Sequence, residues 1–498
     1  MYKLVGTISG EVGLHEFDFT VTGEVRRNEY IKIWSELEGW LLGRVLSILD
    51  AEKKTATAEI IGYKDERGFL KQPKSTLARD EKVFKADQAF IMDSLGLKSG
   101  GIYLGTLEGR NIPVYLRKEE LIQKHCSILA KTGSGKSYTA GVLIEELLEK
   151  NVPLLIIDPH GEYLSLKYEN RNDEERKQME KLGISPKGYA SKVIVYTPAN
   201  FSINPEADKL FRIDGINLSV NELYDLFPLS DAQLGVLYQC INNIKAEKEF
   251  YTVEDIIKKV SESKSSAKWR MVHFLERIRE TGILSDSPTR IEDLVKVAQA
   301  SIIDMKGADP KLQQLIVYRI CKEVFEGRKM GKIPPFMLVI EEAHNFCPER
   351  GFEKAVSSNI LRTIASEGRK FGLGLLVISQ RPARVDKNVI SQCNTQIILR
   401  VTNPNDIRAL GRGLEFMSSE MEEEIKRVPL GVALLSSPSV EMPILVDVRV
   451  RRSEHGGRAA EMETGEKKKK IEMESKKEEW NAVAKEEKKS MLARLLFE

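Results

Sequence analysis

The sequence predicts an α/β fold: a parallel sheet with helices on both faces, carrying a helical insertion and preceded by a small all-β barrel. Three observations carry that reading. From residue 125 onward, short runs rich in Ile, Leu and Val alternate with helical stretches, the pattern of strands buried on both faces. Before about residue 112 the texture is one of short alternating strands punctuated by Gly and charge. Just inside the second regime stands "AKTGSGKS", a glycine-rich turn joining a strand to a helix.

The elements follow in chain order. Over 1–112, "EFDFTVTGE" alternates apolar and polar residues as a half-buried strand does. "YIKIWSELEGWLLGRVLSIL", "TATAEIIGY" and "GGIYLGTLEGRNIPVYL" continue the alternation, and strands at this spacing suit a small closed barrel. No chemical motif stands out there, so the barrel reads as a docking or assembly domain. Over 113–452, strands are expected at "CSILA", "PLLIID", "KVIVYTP", "SIIDM", "FMLVIEE", "GLLVISQ" and "TQIILRV". The stretch 205–295 breaks that rhythm with helical spacing in "NLSVNELYDLF", "AQLGVLYQCINNI", "TVEDIIKKV" and "MVHFLERIRE", and reads as an insertion. The extension 453–498 is dense in charge of both signs, a solvated tail whose last turn, "MLARLLF", gathers apolar residues as a short docking helix would.

Composition narrows the function classes. With 498 residues the chain has room for two or three domains. No apolar run reaches the roughly 18–20 residues of a membrane span, and "MYKLVGTISGEVGLHEF" lacks the pattern of a secretory leader, so a cytoplasmic protein without membrane contact is expected. Five cysteines lie far apart with no C-x-x-C, which argues for reduced thiols and against a disulfide framework or zinc site. The net charge of +2 means that nucleic-acid binding would need a local basic surface, such as a channel.

"AKTGSGKS", Ala130 to Ser137, fits the phosphate-loop pattern G-x-x-x-x-G-K-[ST] except for Ala130 at its first position. Gly133 and Gly135 permit the bends that turn successive N–H groups inward, and the following helix adds its positive dipole end. Thr132, Gly133, Ser134, Gly135, Lys136, Ser137 and Tyr138 are therefore the candidate ATP-binding residues, with Lys136 on the β- and γ-phosphates and Ser137 on Mg²⁺. "FMLVIEEAHNF" delivers Glu341 and Glu342 to the C-terminal end of a strand, where open parallel sheets bind ligands. Glu341 is assigned to the magnesium shell, largely through water, and Glu342 to activation of the attacking water. In "LLIIDPHGEY", Asp158, His160 and Glu162 follow a third strand; they either approach the nucleotide or a neighbouring subunit, or form a turn in which Asp158 caps the next segment. Gln380 ends the strand after the Glu–Glu strand, placed to sense the γ-phosphate.

Taken together and in order, "AKTGSGKS", "IIDPHGEY", "VIEEAHNF" and "SEGRKFGLGLLVISQRP" behind an N-terminal barrel resemble the HerA family of hexameric DNA translocases, within the HerA–FtsK group of P-loop ATPases. The resemblance runs from the barrel to about residue 450. It implies a RecA-like core, a barrel of the kind found in HerA and ATP synthase, a homo-hexameric ring and ATP-driven movement on double-stranded DNA. It also implies a NurA-type nuclease partner, the double-strand-break repair nuclease complex, and a role in end resection and recombinational repair. In such a ring the nucleotide lies between subunits, and Arg369 is expected as the arginine finger inserted into the neighbour's site, with Arg381 second in rank. Arg350, Lys354 and Lys370, on loops near the Glu–Glu strand, are the candidate contacts to DNA phosphates. Two other readings use the same residues: a ring ATPase moving protein or conjugative DNA through a secretion apparatus, and a nucleotide switch controlling a partner. The paired Glu341–Glu342 favours hydrolysis over a bare switch.

Overall fold

The computed structural model describes residues 3–50, 53–220, 223–224, 229–352, 354–411 and 419–456. Two compact units divide the chain, Met1–Glu454 and His455–Glu498, and every element below belongs to the first. From residue 457 the charged extension, including "MLARLLF", lies outside the described residues.

Seven strands begin the chain: β1 (Leu4–Val12), β2 (Glu16–Val21), β3 (Tyr30–Ser35), β4 (Gly39–Asp50), β5 (Lys54–Lys64), β6 (Leu70–Lys71) and β7 (Lys82–Lys85). Their order is β2-β1-β7-β3-β4-β5-β6, and β2 also pairs with β5. Six antiparallel strands thus close on themselves, with β6 appended to β5, which leaves the barrel without open edges. Strand alternation explains the closure. Phe17 and Phe19, Ile31 and Ile33, Ala56 and Ala58 point inward and share one core with Val5, Ile8, Leu41 and Val83.

The second sheet has twelve strands. They are β8 (Ile102–Leu107), β9 (Pro113–Leu116), β10 (Cys126–Leu129), β11 (Leu154–Asp158), β12 (Val193–Thr197), β13 (Lys209–Leu210), β16 (Ala300–Asp304), β17 (Phe336–Ile340), β18 (Leu373–Ser379), β19 (Thr395–Ile398), β20 (Val432–Ser436) and β21 (Ile444–Val448). A separate two-stranded pair, β14 (Ile213–Asp214) and β15 (Leu284–Ser285), flanks the insertion. The large sheet runs β13-β12-β16-β11-β17-β18-β10-β19-β20-β21-β8-β9; the pairings from β13 to β19 are parallel and those from β19 to β9 antiparallel. All seven expected apolar runs are strands of its parallel part. Alternate residues feed two cores, Leu155, Ile157, Leu338 and Leu375 on one face, Leu154, Ile156, Val339 and Leu376 on the other.

One expectation fails. The stretch "GGIYLGTLEGRNIPVYL", read with the barrel, forms β8 and β9 at the antiparallel end of the large sheet, where Leu107 pairs with Val446. Ile102, Leu104 and Leu107 bury themselves with Ile128, Ile144 and Leu147 around the helix after the glycine-rich turn, and that packing fixes them there. The insertion is helical, with helices Asp231–Glu247, Val253–Glu262 and Lys268–Thr281 around their own core of Leu237, Ile241, Ile256, Val260 and Leu275. Within "NLSVNELYDLF", residues 221, 222 and 225–227 lie outside the described residues.

The order β17-β18-β10 positions the site. Leu129 at the end of β10 lies level with Ser379, and Ile340 at the end of β17 lies level with Val377. The glycine-rich turn, Gln380 and the Glu341–Glu342 pair therefore leave the same C-terminal edge of the sheet side by side.

Candidate active site

The turn from Ala130 to Gly135 bridges β10 and the helix Lys136–Glu149. Gly133 and Gly135 have φ of 75° and 88°, a region open to glycine and costly for other residues. Among the described residues, no atom beyond its two chain neighbours lies within 4 Å of where a Gly133 side chain would begin, so backbone conformation is what demands glycine there. Ala130 is fully buried and its methyl joins the core with Ile128 and Ile378, so the departure from glycine at this position packs inward, away from the loop. Lys131 N–H and Ser134 Oγ–H both donate to the Arg400 carbonyl, at 2.9 and 3.2 Å, which ties the loop to the end of β19.

Five polar side chains from elsewhere in the fold, Glu162, Tyr163, Glu341, Glu342 and Gln380, converge on this loop and the start of its helix. Lys136 is 6% exposed; its Nζ pairs with Glu341 Oε1 and stands 3.4 Å from Glu342 Oε1. Tyr163 Oη–H donates to the other Glu341 oxygen at 2.5 Å. Gln380 accepts from Thr132 Oγ1 at 2.5 Å and donates through its amide to Glu342 Oε1. Ser137 Oγ–H donates to Glu162. Glu341 and Glu342 are 0% and 3% exposed, a burial that carboxylates tolerate only when paired.

Glu342 differs from its neighbour in two ways. Its backbone is left-handed, with φ 49° and ψ 46°, an uncommon conformation for a non-glycine residue. Its Oε2 is buried without a hydrogen bond among the described residues, 3.3 Å from His344 Nδ1. Burial holds the His344 pKa below the ordinary histidine value; Glu342 opposes that effect, and the charges of Arg381, Arg384 and Lys136 reinforce it. A neutral imidazole and an acceptor oxygen without a donor suit Glu342 to take a proton from water.

Magnesium takes hard oxygen donors and keeps several waters, bound by one or two protein groups plus substrate phosphates. The Ser137 hydroxyl with the Glu162 and Glu341 carboxylates fits that donor set. Among the described residues no group of three or more His, Cys, Asp or Glu is arranged to hold a metal alone, so phosphate oxygens would complete the shell.

The remaining sequence candidates fall elsewhere. Asp158 Oδ1 accepts the N–H groups of His160 and Gly161, at 3.2 and 2.9 Å, and Oδ2 that of Tyr163 at 3.0 Å. Both oxygens serve its own turn, and burial raises its pKa to about 6. The geometry is that of the turn cap, and of the three residues of this turn read as approaching the nucleotide, it is Glu162 that bonds to Ser137 at the start of the following helix. Gly161, at φ 75°, bends the chain between them. Tyr138 also departs from the nucleotide-binding expectation: its hydroxyl accepts the Arg451 N–H at 2.9 Å and faces the end of the chain's first unit.

The two arginines separate. Arg381 follows Gln380 at the site's own edge, where its N–H donates to Ser379 Oγ at 3.0 Å. Arg369 lies in the turn Gly368–Phe371 before β18, at the opposite edge of the sheet. Seven residues of strand put it roughly 20 Å from the phosphate loop of its own chain. Both side chains are exposed and form no ion pair among the described residues. Arg350 and Lys354 are exposed after β17, on the side of the acidic pair, whereas Lys370 sits beside Arg369 at the far edge, so the three do not form one patch.

Residues 102–324 match the family model described as the central domain of helicase HerA. A probable DNA double-strand break repair helicase HerA of Methanocaldococcus jannaschii is 25% identical over 489 residues, 91% of this chain and 96% of that one. A DNA double-strand break repair helicase HerA of Sulfurisphaera tokodaii is 28% identical over 365 residues, 70% of this chain and 69% of its own. Among solved structures, VirB4 of Thermoanaerobacter pseudethanolicus is 16% identical, with a TM-score of 0.48 over 70% of this chain and 96% of that one.

Proposed function

The chain belongs to the HerA family of P-loop ATPases, and from that premise we propose that it is an ATP-driven ring translocase of double-stranded DNA acting in end resection and recombinational repair. It hydrolyses ATP. The loop amides, Lys136 and Ser137 would cradle the phosphates and Mg²⁺, with Glu162 and Glu341 in the metal's outer shell. When bound, the metal would supply positive charge against the charge that develops on the phosphates. The protein's own part is positional. ATP draws Lys136 away from the carboxylates, Glu342 takes the proton of the attacking water, and Gln380 links that base to Thr132 of the phosphate loop.

The observation that carries the ring is the split of the machinery across the sheet. Lys136, Glu341, Glu342 and Gln380 leave one edge, and Arg369 stands exposed at the other, about 20 Å away. An arginine at that distance cannot serve its own nucleotide. Repeated head to tail, subunits would set each Arg369 against the next one's γ-phosphate, and a closed set of such contacts is a ring. Six copies, the NurA-type nuclease and the wider repair nuclease complex follow from family membership. In this scheme the barrel, β1 to β7, would form the assembly and partner-docking part, the large sheet from β8 onward with its helices the motor, and 453–498 an accessory tail. Arg350 and Lys354 would meet DNA phosphates. Among the described residues no helix is long and apolar enough to cross a membrane.

Displacement of a third strand from linear duplex DNA tests translocation. The proposal expects displacement with ATP and Mg²⁺, and none with a non-hydrolysable analogue or with Glu342→Gln. Displacement equal under all three conditions would refute it.

A further inference from the structure

His125, the residue before β10, has a backbone conformation that needs a reason. Its φ of 53° and ψ of 160° lie outside the regions open to non-glycine residues, a strain that persists only where surroundings impose it. The side chain is 1% exposed and both ring nitrogens are used. Nδ1 accepts the Leu375 N–H at 3.0 Å, so Nε2 carries the proton and donates to the Ala365 carbonyl, also at 3.0 Å. Leu375 belongs to β18, and Ala365 lies in the last turn of the helix Ser358–Glu367. One ring thus bridges the two elements that enter and leave the Gly368–Phe371 turn, the turn that presents Arg369. Burial keeps the imidazole neutral, and the Arg369 charge is near enough to add to that effect.

The same residue starts the strand that ends in the phosphate loop. Between His125 and Ala130 lie only the four residues Cys126–Leu129, fully buried and paired on both sides with β18 and β19. A short, rigid strand therefore joins the phosphate loop to the seat of Arg369.

We infer that His125 is a positioning residue for the arginine finger: it fixes the Arg369 turn against the phosphate-loop strand, so that each subunit's own loop sets the finger it offers its neighbour. The inference rests on the reading of Arg369 as a finger acting between subunits. His125 touches no nucleotide of its own chain. Its loss should misplace the finger and leave nucleotide binding alone.

Steady-state ATP hydrolysis by the full-length assembly tests this with His125→Ala, His125→Gln, Arg369→Ala and the His125→Ala/Arg369→Ala pair. Misplacing a catalytic group by about 1 Å costs on the order of 100-fold, so His125→Ala should lower kcat by that order. The KM for ATP should stay within about twofold, since uniform binding is untouched. His125→Gln, which restores a donor toward Ala365 and packs a similar volume, should recover part of the loss and keeps the test open should the alanine variant fold poorly. The double variant should be no slower than Arg369→Ala alone, because a finger already absent cannot be misplaced. Multiplying losses in the double variant, a raised KM with kcat intact, or full kcat in both His125 variants would overturn the inference while leaving the finger reading standing. Undiminished kcat in Arg369→Ala would refute the finger reading itself, and this inference with it.

Discussion

Replacing Arg369 by alanine separates a side chain that serves its own subunit from one that serves the next. Arg369 is exposed, forms no ion pair among the described residues, and stands one strand length, roughly 20 Å, from its own phosphate loop. Its loss should therefore change folding stability by no more than about 0.5 kcal/mol, the usual range for a surface substitution. Nucleotide affinity should also hold, because the loop, Lys136 and Ser137 are untouched. The transition state loses the guanidinium, and with it about 10³-fold or more in kcat. That factor corresponds to about 4 kcal/mol of barrier. The assay is steady-state hydrolysis by Arg369→Ala, by Lys136→Ala and by a mixture of the two. Lys136→Ala cannot cradle phosphates but still offers its arginine. In mixed assemblies, Arg369→Ala subunits receive that arginine and hydrolyse ATP, so the mixture exceeds the sum of its parts. A mixture no more active than that sum would refute the reasoning. So would a raised KM with kcat unchanged, which would place Arg369 on its own nucleotide.

Glu162→Gln should weaken Mg²⁺-dependent binding of a fluorescent ADP analogue, shifting the Mg²⁺ midpoint upward by about tenfold, with metal-free binding unchanged; an unchanged midpoint would remove Glu162 from the metal shell. Glu145 is fully buried on the phosphate-loop helix and accepts from Arg449 at 3.0 Å, Arg452 N–H at 3.0 Å and Ser453 N–H at 2.9 Å. Glu145→Ala would strand buried guanidinium charge and cost about 3–5 kcal/mol in denaturant unfolding, far more than any surface carboxylate. His125 titrates near 4 in the folded chain against 6.5 for a free histidine, so the unfolded chain binds an extra proton between those values. Stability is therefore lost as pH falls from 6.5 toward 4, by about 2 kcal/mol at pH 5, and urea titrations should show His125→Gln losing less over that window.

Much of this was legible because local chemistry and global position coincide. "AKTGSGKS" and "FMLVIEE" each pair a buried strand with a chemical terminus, and a parallel sheet brings such termini to one edge. The apolar runs of β10, β11, β17 and β18 carried the sheet for the same reason. Where pairing depends on distant partners, pattern failed. The alternation of β8 and β9 suits a barrel strand or a sheet edge equally, and only β21, more than 300 residues later, decides between them. Asp158 and Glu162 share one turn, and the bend at Gly161 decides which carboxylate faces Ser137. The separation of Arg369 from Arg381 was readable in the length of the strand between them. The roles of Tyr138 and His125 were not, because both answer to residues more than 200 positions away, Arg451 for one, Ala365 and Leu375 for the other.

The central claim is that ATP hydrolysis here is coupled to double-stranded DNA. Its most direct test is the rate of ATP hydrolysis with and without linear duplex DNA, against Glu342→Gln. Strong stimulation by duplex, abolished in the variant, is the predicted result. Hydrolysis that depends on Glu342 yet ignores duplex DNA at every concentration would contradict it.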